Sequence, residues 1–460
     1  MSAILERRGA PAAGWLLGLL GLCAAVGLAA GVSPKYGLLA PIGLAFVIVV
    51  FADLVLGIAM FAALSFLDVL TIGGAALSFD KVAGLLLFVS WGLRQATAPR
   101  EISRDIVRRH PALFVALLGF VAWSLISVLW ATRQGVSIEE AYRDALEMLL
   151  IPIVYTAVRS RRDLQKILFG YLIGAGFSAV YGLAHPPAAS SQAAGRVVGA
   201  LGEANSQATV LVAGIALAAG LAITARYRPK VRVLIVVAGA LSLAGLVTTL
   251  SRAGLIAFGV VLVAGVFIGG RWRKPAAVLM IAGLIATPVY FLAFAPANAL
   301  DRVTNSQTSG RNDIWKVAVR MFEAHPLLGV GAGNFQYVSA NYLQHPGLIT
   351  AGDYFLVSPK VAQSIYLEQL ASLGLPGFLL MVAFFVAGIG IMLRAAHIFE
   401  RLGDVELELT ARAAILALIA FLAADVFASE LISKQLWLVF ALGPALLKLA
   451  DIESRTGRAV

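Results

Sequence analysis

Charge is what this chain has least of. Charged residues make up 13% of its 460 positions, about half the share found in a soluble domain. That scarcity excludes an ordinary water-soluble fold. Cysteine is nearly absent as well. The single Cys23 sits in an apolar run and offers neither a disulfide framework nor a thiolate metal cluster. Five histidines without a spacing such as H-E-x-x-H give no ground to expect a metal site. Alternating ten-residue segments are missing too, and runs such as Leu255 to Phe267 are apolar throughout, which excludes a membrane β-barrel.

Hydrophobic residues, by contrast, fill 60% of the chain. Runs near twenty residues recur along its length, each long enough to cross about 30 Å of hydrocarbon as a helix. Backbone amides in lipid must be paired within their own segment, so the expected fold is an all-α polytopic membrane protein. We expect about 12–14 transmembrane helices and one long extracytoplasmic loop containing short helices. The spans fall near 13–32, 37–51, 52–66, 80–94, 111–130, 144–158, 165–184, 206–224, 231–249, 253–269, 276–295, 375–394, 411–428 and 434–449. Arg7-Arg8 ahead of the first run resembles a signal-peptide start, but the equally apolar segments that follow favour an uncleaved span.

The net charge of +11 does not point to nucleic acid, because the basic residues lie in short clusters between spans. The clusters are Arg7-Arg8; Arg100, Arg104, Arg108 and Arg109; Arg159, Arg161 and Arg162; Arg226, Arg228, Lys230 and Arg232; Arg271, Arg273 and Lys274; and Arg394 with Arg401. If both termini are cytoplasmic and 37–66 holds two spans split at Ala52-Asp53, every cluster falls inside. Segments near 185–205, 250–252 and 296–374 then face the other side.

Three arginines stand on that other side. Arg196 lies in Gly195-Arg196-Val197-Val198-Gly199, Arg252 in Ser251-Arg252-Ala253-Gly254, and Arg311 in Gly310-Arg311-Asn312-Asp313-Ile314-Trp315. A guanidinium is always charged and its planar fork matches phosphate oxygens in pairs. Charge bordering a span is costly and marks a functional site unless the side chain merely snorkels to the headgroups. Together the three could hold a diphosphate and stabilise it as a leaving group.

The segment Gly310-Arg311…Ile314-Trp315…His325-Pro326-Leu327-Leu328-Gly329-Val330-Gly331-Ala332-Gly333-Asn334-Phe335 resembles the central signature of the O-antigen ligase and Wzy-type polymerase family. Tyr366-Leu367…Leu373-Gly374-Leu375-Pro376-Gly377 is similar to that family's re-entry into the next span. Ser251-Arg252-Ala253-Gly254-Leu255 and Arg196…Gly199…Asn205 are similar to its upstream arginine motifs. The resemblance covers about residues 190–395 by motif. It implies N-terminal transmembrane helices over 1–185, a ligase- or polymerase-like core over 186–395 with the loop at 296–374, and C-terminal helices with a cytoplasmic tail over 396–460. It further implies a multi-pass protein of the inner (plasma) membrane with an extracytoplasmic active face. The implied reaction moves a glycan from undecaprenyl diphosphate to a glycan or lipid acceptor, with Arg196, Arg252 and Arg311 on the diphosphate. No metal or other cofactor is implied. Membrane lipids are expected partners and nucleic acid is not.

One position departs from the family pattern. Where many ligases of the family carry a His-Asn pair, its histidine a proposed base, this chain has Gln363-Ser364. Glutamine is no proton acceptor near neutral pH. His345, Asp353 or Glu368 could take the role, or the reaction could need only positioning and phosphate stabilisation. Against these stand simpler readings: a solvated charge for Glu368, a surface turn for His345, a loop anchor for His325, and an interfacial belt for Trp315, Phe335, Tyr337 and Tyr342. Asp425 and Glu430 read as acceptor contacts or as water-facing caps. Ligase, polymerase, a transporter or flippase for an anionic or lipid-linked substrate, and an inactive partner of a polysaccharide machine all remain open.

Overall fold

A computed structural model describes residues 34–67, 79–97, 101–186, 196–224, 227–293, 311–343 and 360–456, together with Gly27 and Gly31. The described residues are helical and contain no strand. The helices are α1 (Pro34–Ala52), α2 (Leu54–Leu64), α3 (Phe79–Thr97), α4 (Glu101–Arg109), α5 (Pro111–Ile126), α6 (Gln134–Met148), α7 (Leu150–Ala157), α8 (Arg161–Ala184), α9 (Ala204–Ala222), α10 (Pro229–Thr248), α11 (Arg252–Ile268), α12 (Arg273–Ala293), α13 (Arg311–Ala324), α14 (Phe335–Val338), α15 (Ile365–Leu402), α16 (Val405–Ala424) and α17 (Lys434–Thr456). The protein is an all-α integral membrane protein.

Seven described helices are long and apolar enough to cross a bilayer: α5, α8, α9, α10, α15, α16 and α17. An eighth crossing results if α11 and α12, bent by 116° at their junction, count as one. The expected 12–14 therefore exceeds what the described helices supply. The span expected at 13–32 lies outside the described residues apart from its two glycines. Those at 37–51, 52–66 and 80–94 become shorter apolar helices. The eleven residues of α2 rise only about 16 Å, well short of the hydrocarbon core. The span expected at 144–158 is a pair, α6 and α7, broken at Leu149, and α6 carries Glu139, Glu140, Arg143, Asp144 and Glu147 along its length.

The split at Ala52-Asp53 is present. Asp53 adopts extended backbone and its carboxylate caps α2, accepting from the N–H groups of Val55 at 2.9 Å and Leu56 at 3.2 Å. A Cβ on Gly57 would lie 3.0 Å from the Val50 Cα, a contact an unbroken helix could not make. The chain thus folds back on itself at Asp53. The hairpin then packs on α8 through small residues, as membrane helices do. A Cβ at Gly170 would meet the Ala59 carbonyl oxygen at 2.1 Å, and one at Gly174 the ring of Phe66 at 2.4 Å.

The described members of the basic clusters gather at one pole. Arg109 pairs with Asp105 and Asp451, Arg161 with Asp404 and Glu453, Lys166 with Asp53, and Arg271 with Glu408. Arg412, almost wholly buried, joins Glu408 to Glu400 and donates to the Ile268 carbonyl at the α11–α12 bend. Beyond that bend α12 packs along α11, while Val278, Leu284, Ile285 and Leu292 face outward.

The long loop has its own small core of Ile314, Val317, Met321, Val330, Phe335 and Val338. It is fastened to α15 by reciprocal backbone bonds: Val330 N–H to Ala371 O (3.0 Å), Gly331 N–H to Ser372 O (2.9 Å) and Leu375 N–H to Pro326 O (2.8 Å). Gly374 breaks α15 with φ +65°, and Gly329 faces it with φ +65°. Glycine is needed at both points, where the left-handed backbone combines with neighbouring carbonyls closer than 2.6 Å to any added Cβ.

Candidate active site

The site lies at the pole opposite the basic clusters. Helix α9 runs between the two poles, and its nineteen residues place them about 28 Å apart. Four N- or C-terminal helix ends meet there, from α9, α11, α15 and α16. Serine and glutamate caps set two of them: Ser251 Oγ accepts from Gly254 N at the start of α11, and Glu203 accepts from Ser206 N at the start of α9. The N-terminal ends of α9, α11 and α15 present N–H groups and positive dipole, which favour anions.

Arg196 and Arg252 share one half of the site. Arg196 Nε donates to the Thr249 carbonyl (3.0 Å), and its Nη2 donates to Asn205 Oδ1 (3.1 Å). Ser251 Oγ donates to the same Asn205 oxygen at 2.8 Å, and Arg252 is the first residue of α11 behind that serine. Two sequence motifs about fifty residues apart are thus joined through one asparagine. Arg311, the first residue of α13, forms the other half. Its Nε donates to Gln363 Oε1 at 2.8 Å. Gln363 holds φ +51°, a left-handed conformation that a glutamine rarely takes, so the position is shaped for that contact.

The α16–α17 connection bridges the halves. Ser206 donates to Glu430, Ser364 N–H donates to Ser429 Oγ (3.1 Å), and Ile365 N–H reaches the Asp425 carbonyl (3.0 Å). A polar chain therefore runs from Arg196 through Asn205, Glu203, Ser206 and Glu430 towards Ser364, Gln363 and Arg311.

Glu368, one turn into α15, is no solvated charge. Ser429 and the Ala362 backbone lie close enough to act on its carboxylate, while Oε2 is buried without a partner among the described residues. His345 and Asp353 lie outside the described residues. His325 anchors the loop, its Nε2 lying 3.0 Å from the Tyr342 hydroxyl. Phe335 is buried in the loop core, and Tyr337 lies beneath the Arg133 guanidinium. Trp315 lies tilted against Phe427 with ring centres 5.9 Å apart, its indole N–H buried and unpaired among the described residues.

Asp425 was legible only as an acceptor contact or a water-facing cap, and the second of these is wrong. The residue is 0% exposed, and neither carboxylate oxygen has a hydrogen-bond partner among the described residues. It also ends α16, where the helix dipole disfavours an anion. An ionised carboxylate so placed costs several kcal/mol, so the neutral acid is the form this site accommodates. Glu140 on α6 is a further acid not singled out by the sequence. It lies close enough to act on Glu368 electrostatically, and its β-carbon is 3.2 Å from where a Cβ on Gly333 would sit. Burial lifts the Glu140 carboxyl above its ordinary range; Arg143 opposes the shift and Glu139 adds to it. Among the described residues no group of His, Cys, Asp and Glu is arranged to hold a metal ion.

The glycine-rich segment His325–Asn334 is thus mainly a clamp. Asn334 is fully buried, donating to Ser137 Oγ (2.8 Å) and Ala332 O (3.0 Å) while accepting from Arg133 N–H (2.8 Å). These bonds tie the loop to α6 and hold Arg311 and Gln363 above the helix ends. No curated protein matches the chain. Residues 237–382, from within α10 to within α15 and including Arg252, Arg311, Gln363 and Glu368, match the family model described as O-antigen ligase.

Proposed function

We propose that the protein transfers a glycan from undecaprenyl diphosphate to a glycan or lipid acceptor at the outer face of the inner membrane. The observation that carries this reading is that Arg196, Ser251 beside Arg252, and Arg311 come from three distant segments and each make polar contacts at the pole away from the described basic clusters. The positive-inside rule makes that pole the extracytoplasmic one.

In the reaction an acceptor hydroxyl attacks the anomeric carbon from the face opposite the diphosphate, inverting its configuration. The new glycosidic bond forms as the bond to the diphosphate oxygen breaks, and the electron pair departs with that oxygen. Arginine charge, fixed in advance by Thr249, Asn205 and Gln363, meets the developing negative charge without reorganisation and without need of a metal. The hydroxyl proton passes to a carboxylate, which we take to be Glu368, the one sequence candidate for the base that falls among the described residues. Gln363, at the position of the family histidine, serves Arg311 instead of taking the proton.

The test is transfer in lipid nanodiscs from host undecaprenyl-diphosphate oligosaccharides, with products read by mass spectrometry. Longer lipid-linked chains identify a polymerase, and transfer to an added acceptor identifies a ligase. Arg196→Ala, Arg252→Ala and Arg311→Ala are each expected to lower turnover by about 10²–10³-fold. Substrate crossing the bilayer unchanged, with no new glycosidic bond, would sink the reading in favour of transport.

A further inference from the structure

On the far flank of α6 from the arginine site, a cavity of about 410 Å³ opens between α3 and the α6–α7 pair. That volume lies in the range of pockets holding small ligands, roughly 300–1,000 Å³. Its depth follows from the elements that line it. Lys434 begins α17 at the site pole, and Gln435 beside it bonds the Ser65 carbonyl at the end of α2. Glu139 and Arg143 belong to the half of α6 nearer the loop. The charged end of the cavity therefore sits level with the active site. Leu85, Phe88, Leu146, Leu150 and Ile153 continue it towards the middle of the molecule. Leu85 and Tyr142 are more than half exposed, so the cavity opens sideways to the bilayer.

Its ionisable side chains are two acids and two bases. Arg143 and Glu139 pair at 2.6 Å on the rim, Lys434 stands beside them, and Glu147 lies one turn further along α6. Charges bordering hydrocarbon are costly without a polar companion. An anionic headgroup would suit the arginine and lysine but would also face two carboxylates. A headgroup carrying both signs meets all four, with phosphate on the arginine fork and ammonium on the glutamates. The apolar depth below would take a single acyl chain.

We infer that this lateral cavity binds one zwitterionic phospholipid of the surrounding bilayer, with its phosphoethanolamine headgroup between Arg143, Lys434, Glu139 and Glu147. The site is separate from the diphosphate arginines, because the opposite flank of α6 is occupied by the loop through Ser137 and Glu140. It does not depend on the proposed reaction.

Gly84 offers a clean test, since a Cβ there meets nothing within 4 Å and Gly84→Phe fills the cavity from its own wall. The protein is exchanged into detergent and titrated with phosphatidylethanolamine or phosphatidylglycerol, with bound lipid counted by native mass spectrometry. The wild type should hold one phosphatidylethanolamine per chain, at least tenfold tighter than phosphatidylglycerol. Gly84→Phe and Arg143→Ala should each weaken it by tenfold or more while the thermal unfolding midpoint stays within a few degrees. If Gly84→Phe does not fold, Leu85→Trp on the same wall takes its place. Equal retention of both lipids, retention by the filled variant, or displacement by a polyprenyl phosphate would overturn the assignment.

Discussion

At the scale of single residues, the site turns on groups whose local cost is offset by what they hold. Gln363 is strained at φ +51° and is kept there by Arg311. Gln363→Gly should raise stability by about 1 kcal/mol, since glycine adopts that backbone freely. The same change should lower turnover because Arg311 loses its positioning contact; thermal unfolding and the transfer assay read the two effects separately. Asp425→Asn keeps the shape and neutrality of the buried acid but removes its proton. If Asp425 handles a proton, turnover falls by about 10²-fold with stability unchanged; full activity in Asp425→Asn would leave it a structural group. Glu140 makes a pH prediction. Its folded pKa is raised from 4.5, so the folded state binds the extra proton, and stability falls as pH climbs above that value. Glu140→Gln should flatten this decline in melting temperature between mildly acidic and neutral pH. None of the three roles could be read from the sequence. Arg311 and Gln363 are fifty-two positions apart, and nothing local shows that the segment after Ala424 folds inward beneath Ile365.

At the scale of elements, hydropathy made the helices legible because burial in lipid leaves backbone amides no other partner. The break at Asp53 was legible too, since it combines a capping residue with the parity of the basic clusters. Span lengths were less so. Apolar runs such as 37–66 do not say whether the chain crosses or folds back, and the answer lies in contacts like Gly57 on Val50. The glycine-rich signature was recognisable but its work was not, because that work is a clamp between two glycines forty-five positions apart. Gly374→Ala should strain the backbone and drive a Cβ onto the Leu327 carbonyl. Asn334→Ala should leave buried groups on Ser137 and Arg133 unpaired, at a cost of about 1–3 kcal/mol. Both variants should release the 311–343 segment to protease at concentrations that leave the wild type intact, and both should lose transfer before the helical bundle melts.

At the scale of the whole molecule, the two poles are built from opposite kinds of polar chemistry. One is closed by ion pairs that satisfy each other; the other holds arginines on carbonyl and amide oxygens, with buried acids nearby. Arg412→Met should destabilise by about 3–5 kcal/mol, because the fully buried Glu408 loses one of its two cationic partners. A lowered unfolding midpoint in nanodiscs, with transfer by the surviving folded fraction unchanged, is the expected result. The bend that Arg412 helps to pin also decides what α12 must be. A helix supported along one flank and bathed by lipid on the other answers to the bilayer more than to a core. Its sequence is therefore free to drift among aliphatic residues so long as its length is kept. A saturation library would find α12 the most forgiving stretch of the membrane region, and α16, enclosed on nearly every side, among the least.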